Sequence, residues 1–320
     1  MHSWRRGWRG VGAAALAGLL ALPVLAATRP YPALAERESV RQVQAWGDDA
    51  FGQLGQSIPG DRSLPAAVTG LSGVEVVDLA AGGNHSLALL ADETVRAWGA
   101  NAFGQLGNGT QEGSCSPFCG RTGGRAAAVA VVGLRRVEAI AAGGNHSLAL
   151  LADGTVKAWG NNAFGQLGDG TTIDRATPVA VVGLRQVEAI AAGDSFSLAL
   201  LKDGTVKAWG ADDFGQLGDG IQSIGCGSLC NRPGGDGLTV PPLGSVPVAV
   251  VGLREVESVA AGGNHSVALL EGGVLTAWGL NSDGQLGDGS LTNRASPVIV
   301  RIDRERLRIV EGGRAHSLAA

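Results

Sequence analysis

One phrase, repeated five times, constrains this chain more than anything else in it. An Ala-Trp-Gly signature recurs with its tryptophan at Trp46, Trp98, Trp159, Trp209 and Trp278. A Gly-Gln-Leu-Gly follows each, starting at Gly52, Gly104, Gly165, Gly215 and Gly284. Further on comes a Gly-Gly-Asn-His-Ser-like segment, which puts His85, His146, Phe196, His265 and His316 in equivalent places. The tryptophans stand 52, 61, 50 and 69 residues apart. A basic period of about 50 belongs to chains whose units stack or circle.

Within one unit, Val137 to Thr171, the pattern reads as β throughout. Val137 to Ala142 is a run of β-branched and small residues. His146 to Ala152 alternates, with Leu148 and Leu150 on one face and Ser147, Ala149 and Leu151 on the other. Asp153-Gly154 reads as a tight hairpin turn with two positive φ angles, and Thr155 to Trp159 returns as the next strand. The glycines of AFGQLGDGT are too costly in backbone entropy for a helix, so this stretch is a structured loop. A further apolar run, Pro178-Val-Ala-Val-Val and its copies at Pro247 and Pro297, adds a fourth strand. Four antiparallel strands repeated around an axis make a propeller blade, so the expected fold is an all-β propeller of five repeats.

The ends of the chain are complementary in phase. It begins inside a repeat, at Gln42 to Trp46, and stops inside one, just after His316-Ser-Leu-Ala-Ala. The expected ring is closed by the N-terminal strand joining the last blade, which removes both sheet edges. The alternative is part of a longer array.

AWGNNAFGQLGDGT together with AAGGNHSLALLADGTVKAWG resembles the regulator of chromosome condensation repeat, a propeller-forming unit. The resemblance covers five consecutive copies, from about Val43 to Ala320. It implies a β-propeller, although known members mostly close with seven blades. It also implies two functional alternatives: a guanine-nucleotide exchange factor for a small nuclear GTPase, or an inhibitor of an extracellular enzyme such as a β-lactamase. The second works through an aromatic face, for which one tyrosine and six phenylalanines, four of them in the repeated AFG/DFG slot, are few.

Residues 1–26 read as a signal peptide, with Arg5, Arg6 and Arg9 before an apolar stretch from Val11 to Leu25 and a small-residue end at Ala26. Residues 27–41 read as a linker and 42–320 as the propeller. The expected location is therefore secreted, periplasmic or at the cell surface, with membrane attachment only through an uncleaved signal. Without residues 1–26, 22 basic residues face 29 acidic ones, a balance of −7. Nucleic acid demands a basic stripe, so it is excluded as a partner.

Insertions explain the long spacings. From Trp46 to Gly70 and from Trp159 to Gly183 is 24 residues, but from Trp98 to Gly133 is 35 and from Trp209 to Gly252 is 43. Each insertion follows Gly-Gln-Leu-Gly and carries a Cys-x-x-x-Cys: Cys115 with Cys119, and Cys226 with Cys230. In an exported chain an even count reads as two local disulfides. One four-cysteine zinc site requires the two loops to meet across the ring.

The histidines at one register resemble a metal ring or a set of bases. Equivalent positions in different blades lie apart, however, so a structural role for His85, His146, His265 and His316 is expected, with both ring nitrogens holding backbone groups. The tryptophans read as apolar anchors between blades. Gly193-Asp194-Ser195 has the look of a hydrolase opening, but it is the in-register copy of Gly-Gly-Asn. No catalytic residue, cofactor or metal is assigned. What remains individual is the loops: the repeated tips Asp48, Asp49, Asn101, Asn162 and Asp212, and Phe118 and Leu229 in the insertions. They are the candidate surface for an extracellular protein or cell-surface macromolecule, bound by a monomeric scaffold. Peptide mapping of the exported protein without reduction should return Cys115–Cys119 and Cys226–Cys230 links; four free thiols or one zinc per chain contradict the assignment.

Overall fold

A computed structural model describes residues 39–56, 60–112, 124–221, 244–302 and 307–320. The four cysteines, Phe118 and Leu229 lie outside these residues, as does the expected signal peptide. Every regular element described is a β-strand.

Four complete blades follow one another, each an antiparallel meander of four strands. The second blade is β3 (Val76–Ala81), β4 (His85–Leu90), β5 (Val95–Ala100) and β6 (Gly124–Ala130). The third is β7 (Val137–Ala142), β8 (His146–Leu151), β9 (Val156–Gly160) and β10 (Arg175–Ala180). The fourth is β11 (Val187–Ala192), β12 (Phe196–Leu201), β13 (Val206–Gly210) and β14 (Val248–Ala249). The fifth is β15 (Val256–Ala261), β16 (His265–Leu270), β17 (Val274–Gly279) and β18 (Arg294–Ile299). Ahead of them lies an outer half-blade, β1 (Gln44–Gly47) paired with β2 (Arg62–Ala67). Behind them lies an inner one, β19 (Val310–Gly312) paired with β20 (Ser317–Ala319).

The innermost strands β3, β7, β11, β15 and β19 stand side by side around the axis. The second strand of each complete blade is buried on both faces, because a neighbouring blade covers each side. Alternation in HSLALL therefore separates two buried faces rather than core from water. The outermost strands are half-exposed and carry Pro178 and Pro297. A residue with no N–H is tolerated on an edge strand and not inside a ladder.

The core lies between blades. One apolar cluster joins Leu148, Leu150 and Leu167 of the third blade to Ile190, Ala199 and Trp209 of the fourth. The same arrangement surrounds Trp159 and Trp278 at the neighbouring interfaces.

Two local readings are corrected. In the β8–β9 turn only Gly154 has positive φ, +75°; Asp153 does not. Its carboxylate instead accepts both the N–H and the hydroxyl of Thr155, 2.9 and 2.6 Å away. An Asx turn followed by one left-handed glycine replaces the two-residue mirror turn. The end of the linker is also structured: Val40 pairs with Val76, and Arg41 forms an ion pair with Glu75 at 2.8 Å.

Closure by β1 joining the last blade is not shown. Among the described strands β1 pairs only with β2, and β20 only with β19.

Trp159 is fully buried between the second and third blades. Its replacement by alanine should cost about 3–5 kcal/mol, read as a lower urea midpoint at unchanged slope.

Candidate functional site

The loop after each tryptophan is built almost wholly from the repeated residues. In the third blade the side-chain oxygen of Asn162 accepts the Leu167 N–H at 3.0 Å, and Gln166 Oε1 accepts the Phe164 N–H at 2.9 Å. The Asn162 amide then donates to the Thr171 and Ile173 carbonyls, both at 3.1 Å. The second and fifth blades repeat the core of this scheme with Asn101 and Asn281. The polar tips thus face inward. Asp49, Asn101, Asn162 and Asp212 are all buried, and Asp48 is the one exposed member of the expected set, bonded to Gln53 Nε2 at 2.6 Å.

This folding aims one backbone carbonyl, that of the glutamine, at the next blade. Gln105 O accepts the Trp159 indole N–H at 2.9 Å and the Ser147 hydroxyl at 2.9 Å. Gln53, Gln166 and Gln216 serve the following blades' Trp98, Trp209 and Trp278 in the same way, at 2.8–2.9 Å. The tryptophan is more than an apolar anchor: its polar edge sets blade spacing. The sequence contained that signal, since Gly-Gln-Leu-Gly and Ala-Trp-Gly always recur together.

Histidine joins the same node. His85 Nε2 lies 2.9 Å from Ser147 Oγ, His146 Nε2 2.9 Å from Ser197 Oγ, and His265 Nε2 2.9 Å from Ser317 Oγ. Each serine gives its proton to a glutamine carbonyl, so it accepts from the imidazole, and Nε2 carries the hydrogen. The Nδ1 atoms of all three are buried with no partner among the described residues. The expected use of both ring nitrogens on backbone groups is therefore corrected. One nitrogen bonds a serine of the next blade, and the other packs on glycine; a β-carbon at Gly82 would stand 2.6 Å from His85 Nδ1. His316 is exposed on the last half-blade.

Burial lowers the pKa of His85 to about 4 and of His265 to about 4. His146 falls to about 3, through burial and then the nearby His85. Asp212, in the register of Asn101 and Asn162, is raised to about 7 by burial and by Asp219 and Asp213, against its bond from the Leu217 N–H.

The turns between first and second strands line a cavity of about 610 Å³ on the axis. Backbone bonds link them blade to blade: Gly83 N to Gly143 O, Gly144 N to Gly193 O, Asp194 N to Gly263 O and Gly263 N to Gly313 O, at 2.9–3.3 Å. Ser195 lines this cavity, but no histidine bonds it among the described residues, and Phe196 fills the histidine's place, fully buried. Asp194 faces Arg314 at 4.0 Å, with both side chains open to solvent. Among the described residues no group of three metal-ligating side chains occurs, and no helix is long and apolar enough to cross a membrane.

Blades locked by a shared carbonyl around an axial cavity define a repeat β-propeller. The chain belongs to the RCC1-like domain family, whose model matches residues 42–320. It is 30% identical over 289 residues to the ultraviolet-B receptor UVR8 of Arabidopsis thaliana, covering 89% of this chain and 60% of that protein. It is 31% identical over 282 residues to the human E3 ubiquitin-protein ligase HERC2, covering 87% of this chain and 5% of that protein. The solved structure of yeast RCC1 (Prp20) bound to Kap60 superposes with a TM-score of 0.72 at 26% identity, covering 87% of this chain and 62% of that one. The chain thus spans about three-fifths of UVR8 and of Prp20 and a small part of HERC2.

The histidines make acid stability testable. Their folded pKa values lie below the unfolded value near 6.5, so between about 6.5 and 4 the unfolded chain binds more protons and stability falls as pH falls. The melting temperature should drop across that window. His146→Phe, which copies Phe196, should flatten the drop with little change at pH 7. Asp212 has the opposite sign: its raised pKa removes stability as pH rises towards and through 7. Stability is lost between about pH 3.8 and 7, so Asp212→Asn should raise the melting temperature most at pH 8 and less at pH 5.

Proposed function

We propose that this chain is a non-enzymatic exported propeller scaffold that binds a protein through the face carrying its Gly-Gln-Leu-Gly loops. The observation that carries this reading is the division of labour within those loops. Asn, Gln, Trp, Ser and His at the repeated positions are engaged inside the frame, so they have no reactive group to offer. What differs between blades is the length inserted at the same loop, between Glu112 and Gly124 and between Ile221 and Gly244. Loops of free length on a rigid frame are where recognition is added.

Two further observations favour a protein as the ligand. Phe103, Phe164 and Phe214 are half-buried and Phe51 is 43% exposed at equivalent loop positions, which puts four of the six phenylalanines on that face. The structures of yeast Prp20 are described with Kap60 and with binding to Gsp1p and histones, all proteins. The acidic balance and the N-terminal segment favour a partner outside the cytoplasm over a nuclear one.

Replacement of residues 113–123, or of 222–243, by the short Thr171-Thr172-Ile173-Asp174 turn tests this. The third blade already closes with that turn, where Arg175 pairs with Asp169 at 2.8 Å. Long surface loops are cheap to lose, so melting temperature should hold while affinity for a partner captured from the extracellular fraction falls at least tenfold. Full affinity in both swaps moves the recognition surface elsewhere.

A further inference from the structure

The loop after the tryptophan closes on a cage of oxygens. In the third blade the Asn162 amide nitrogen lies 3.1 Å from Asp169 Oδ1, 3.1 Å from the Thr171 carbonyl, 3.3 Å from the Thr171 hydroxyl and 3.1 Å from the Ile173 carbonyl. In the fifth, the Asn281 amide meets Asp288 Oδ1, the Ser290 carbonyl and hydroxyl, and the Thr292 carbonyl at 3.0–3.2, 3.3 and 3.1 Å. An amide with two hydrogens thus sits among four oxygens, a place that suits positive charge. An arginine completes each loop: Arg175 pairs with Asp169 at 2.8 Å and Arg294 with Asp288 at 2.7 Å.

The fourth blade loses both donors and keeps the acid. Asp212 stands at the place of Asn162 and Asn281, and Asp219 at that of Asp169 and Asp288. Asp212 Oδ1 accepts the Leu217 N–H at 3.0 Å, as Asn162 Oδ1 accepts the Leu167 N–H, so its second oxygen corresponds to the amide nitrogen. That oxygen accepts no hydrogen bond among the described residues, in a residue only 8% exposed. A buried carboxylate oxygen aimed at a second acid is costly to leave so. The arginine's place is Gly244, which pairs with Gly210 where Arg175 pairs with Gly160 and Arg294 with Gly279. Gly244 has φ +76°, and a β-carbon there would collide with the Gly210 carbonyl, so no side chain can bring the charge from that position. Asp49 in the first loop is different: its oxygens accept the Leu54 and Gly60 N–H groups, both at 2.9 Å, and its register partner is the neutral Gln56. Over these three positions the first, third and fifth loops are neutral, and in the second Glu112 pairs with Arg125. The fourth carries −2.

We propose that Asp212 and Asp219 bind a calcium ion in the place that the amide and guanidinium groups fill in the other blades. The deficit of two charges matches a divalent cation. Both carboxylates supply oxygens, and Ile221 stands where Thr171 and Ser290 give a backbone carbonyl to the cage. Calcium takes its remaining ligands from water and accepts irregular geometry, so a third metal-ligating side chain is not required. Magnesium demands near-octahedral geometry and gives up its own water reluctantly, so a loop of this kind discriminates against it. Without the ion the two acids repel, and burial with Asp219 and Asp213 pushes the Asp212 pKa up to about 7. A proton then substitutes for the metal.

Equilibrium dialysis of the chelator-stripped chain against radiolabelled calcium at pH 8, with thermal melts in calcium and in chelator, tests this. The wild type should bind calcium and melt higher in its presence, and magnesium should bind at least tenfold more weakly. Asp212→Asn restores the amide of the third and fifth blades, and Asp219→Asn copies Asn108 of the second, so each variant uses a loop chemistry that this chain already folds. Each should weaken calcium binding at least tenfold and lose the calcium-dependent rise in melting temperature. In chelator Asp212→Asn should melt above the wild type, which separates a lost site from a damaged fold. A wild type that binds no calcium, a melting temperature that calcium does not move, or either variant binding calcium like the wild type overturns the proposal.

Discussion

The structure depends on one carbonyl oxygen per blade. The glutamine of Gly-Gln-Leu-Gly receives an indole N–H and a serine hydroxyl from the following blade, and the loop that carries it is arranged to aim it. Asn or Asp five residues before the leucine takes the leucine N–H, the glutamine side chain takes the N–H two residues back, and glycine leaves room for the indole. A buried carbonyl has two lone pairs, and a node that fills both holds two sheets in one relation. Where histidine donates to the serine, the serine–glutamine distance is 2.9 Å, at Ser147, Ser197 and Ser317. Where it does not, at Ser86 and Ser266, the distance is 3.1 and 3.2 Å. Hydrogen bonds in series polarise one another, and the shortening has the sign that mechanism requires.

Much of this was legible in the sequence, because a repeat reports its own requirements. Val137–Ala142 and His146–Leu151 form as strands where the pattern of small, branched and alternating residues puts them. The period alone leads to blades. The turn chemistry of Asp153-Gly154 was not legible, since Asp-Gly serves two kinds of turn and the hydroxyl of Thr155 decides between them. The orientation of Asp49, Asn101, Asn162 and Asp212 was not legible either. Polar residues beside glycines look like solvated tips until the leucine N–H five residues on is seen to need an acceptor. That fixed spacing of Asx to Leu was present five times and was the available signal.

The candidate site follows the same logic. Residues shared by all blades are structural because every blade needs them, and they are titrationally quiet because burial holds the histidines neutral. Asp212 departs from the rule. An acid stands in the amide's place here as at Asp49, and burial with the nearby Asp219 and Asp213 raises the Asp212 pKa to about 7.

The histidine series has one gap, and it falls between the fourth and fifth blades. Phe196 has nothing to donate to Ser266, whose bond to Gln216 is the longest of its kind here at 3.2 Å. Apolar packing at that seam is intact, with Phe196 and Trp278 both fully buried in one cluster. A contact held by packing without its polar clasp slides more readily than it separates. Under tension, this seam would shear before the neighbouring ones that join His146 to Ser197 and His265 to Ser317.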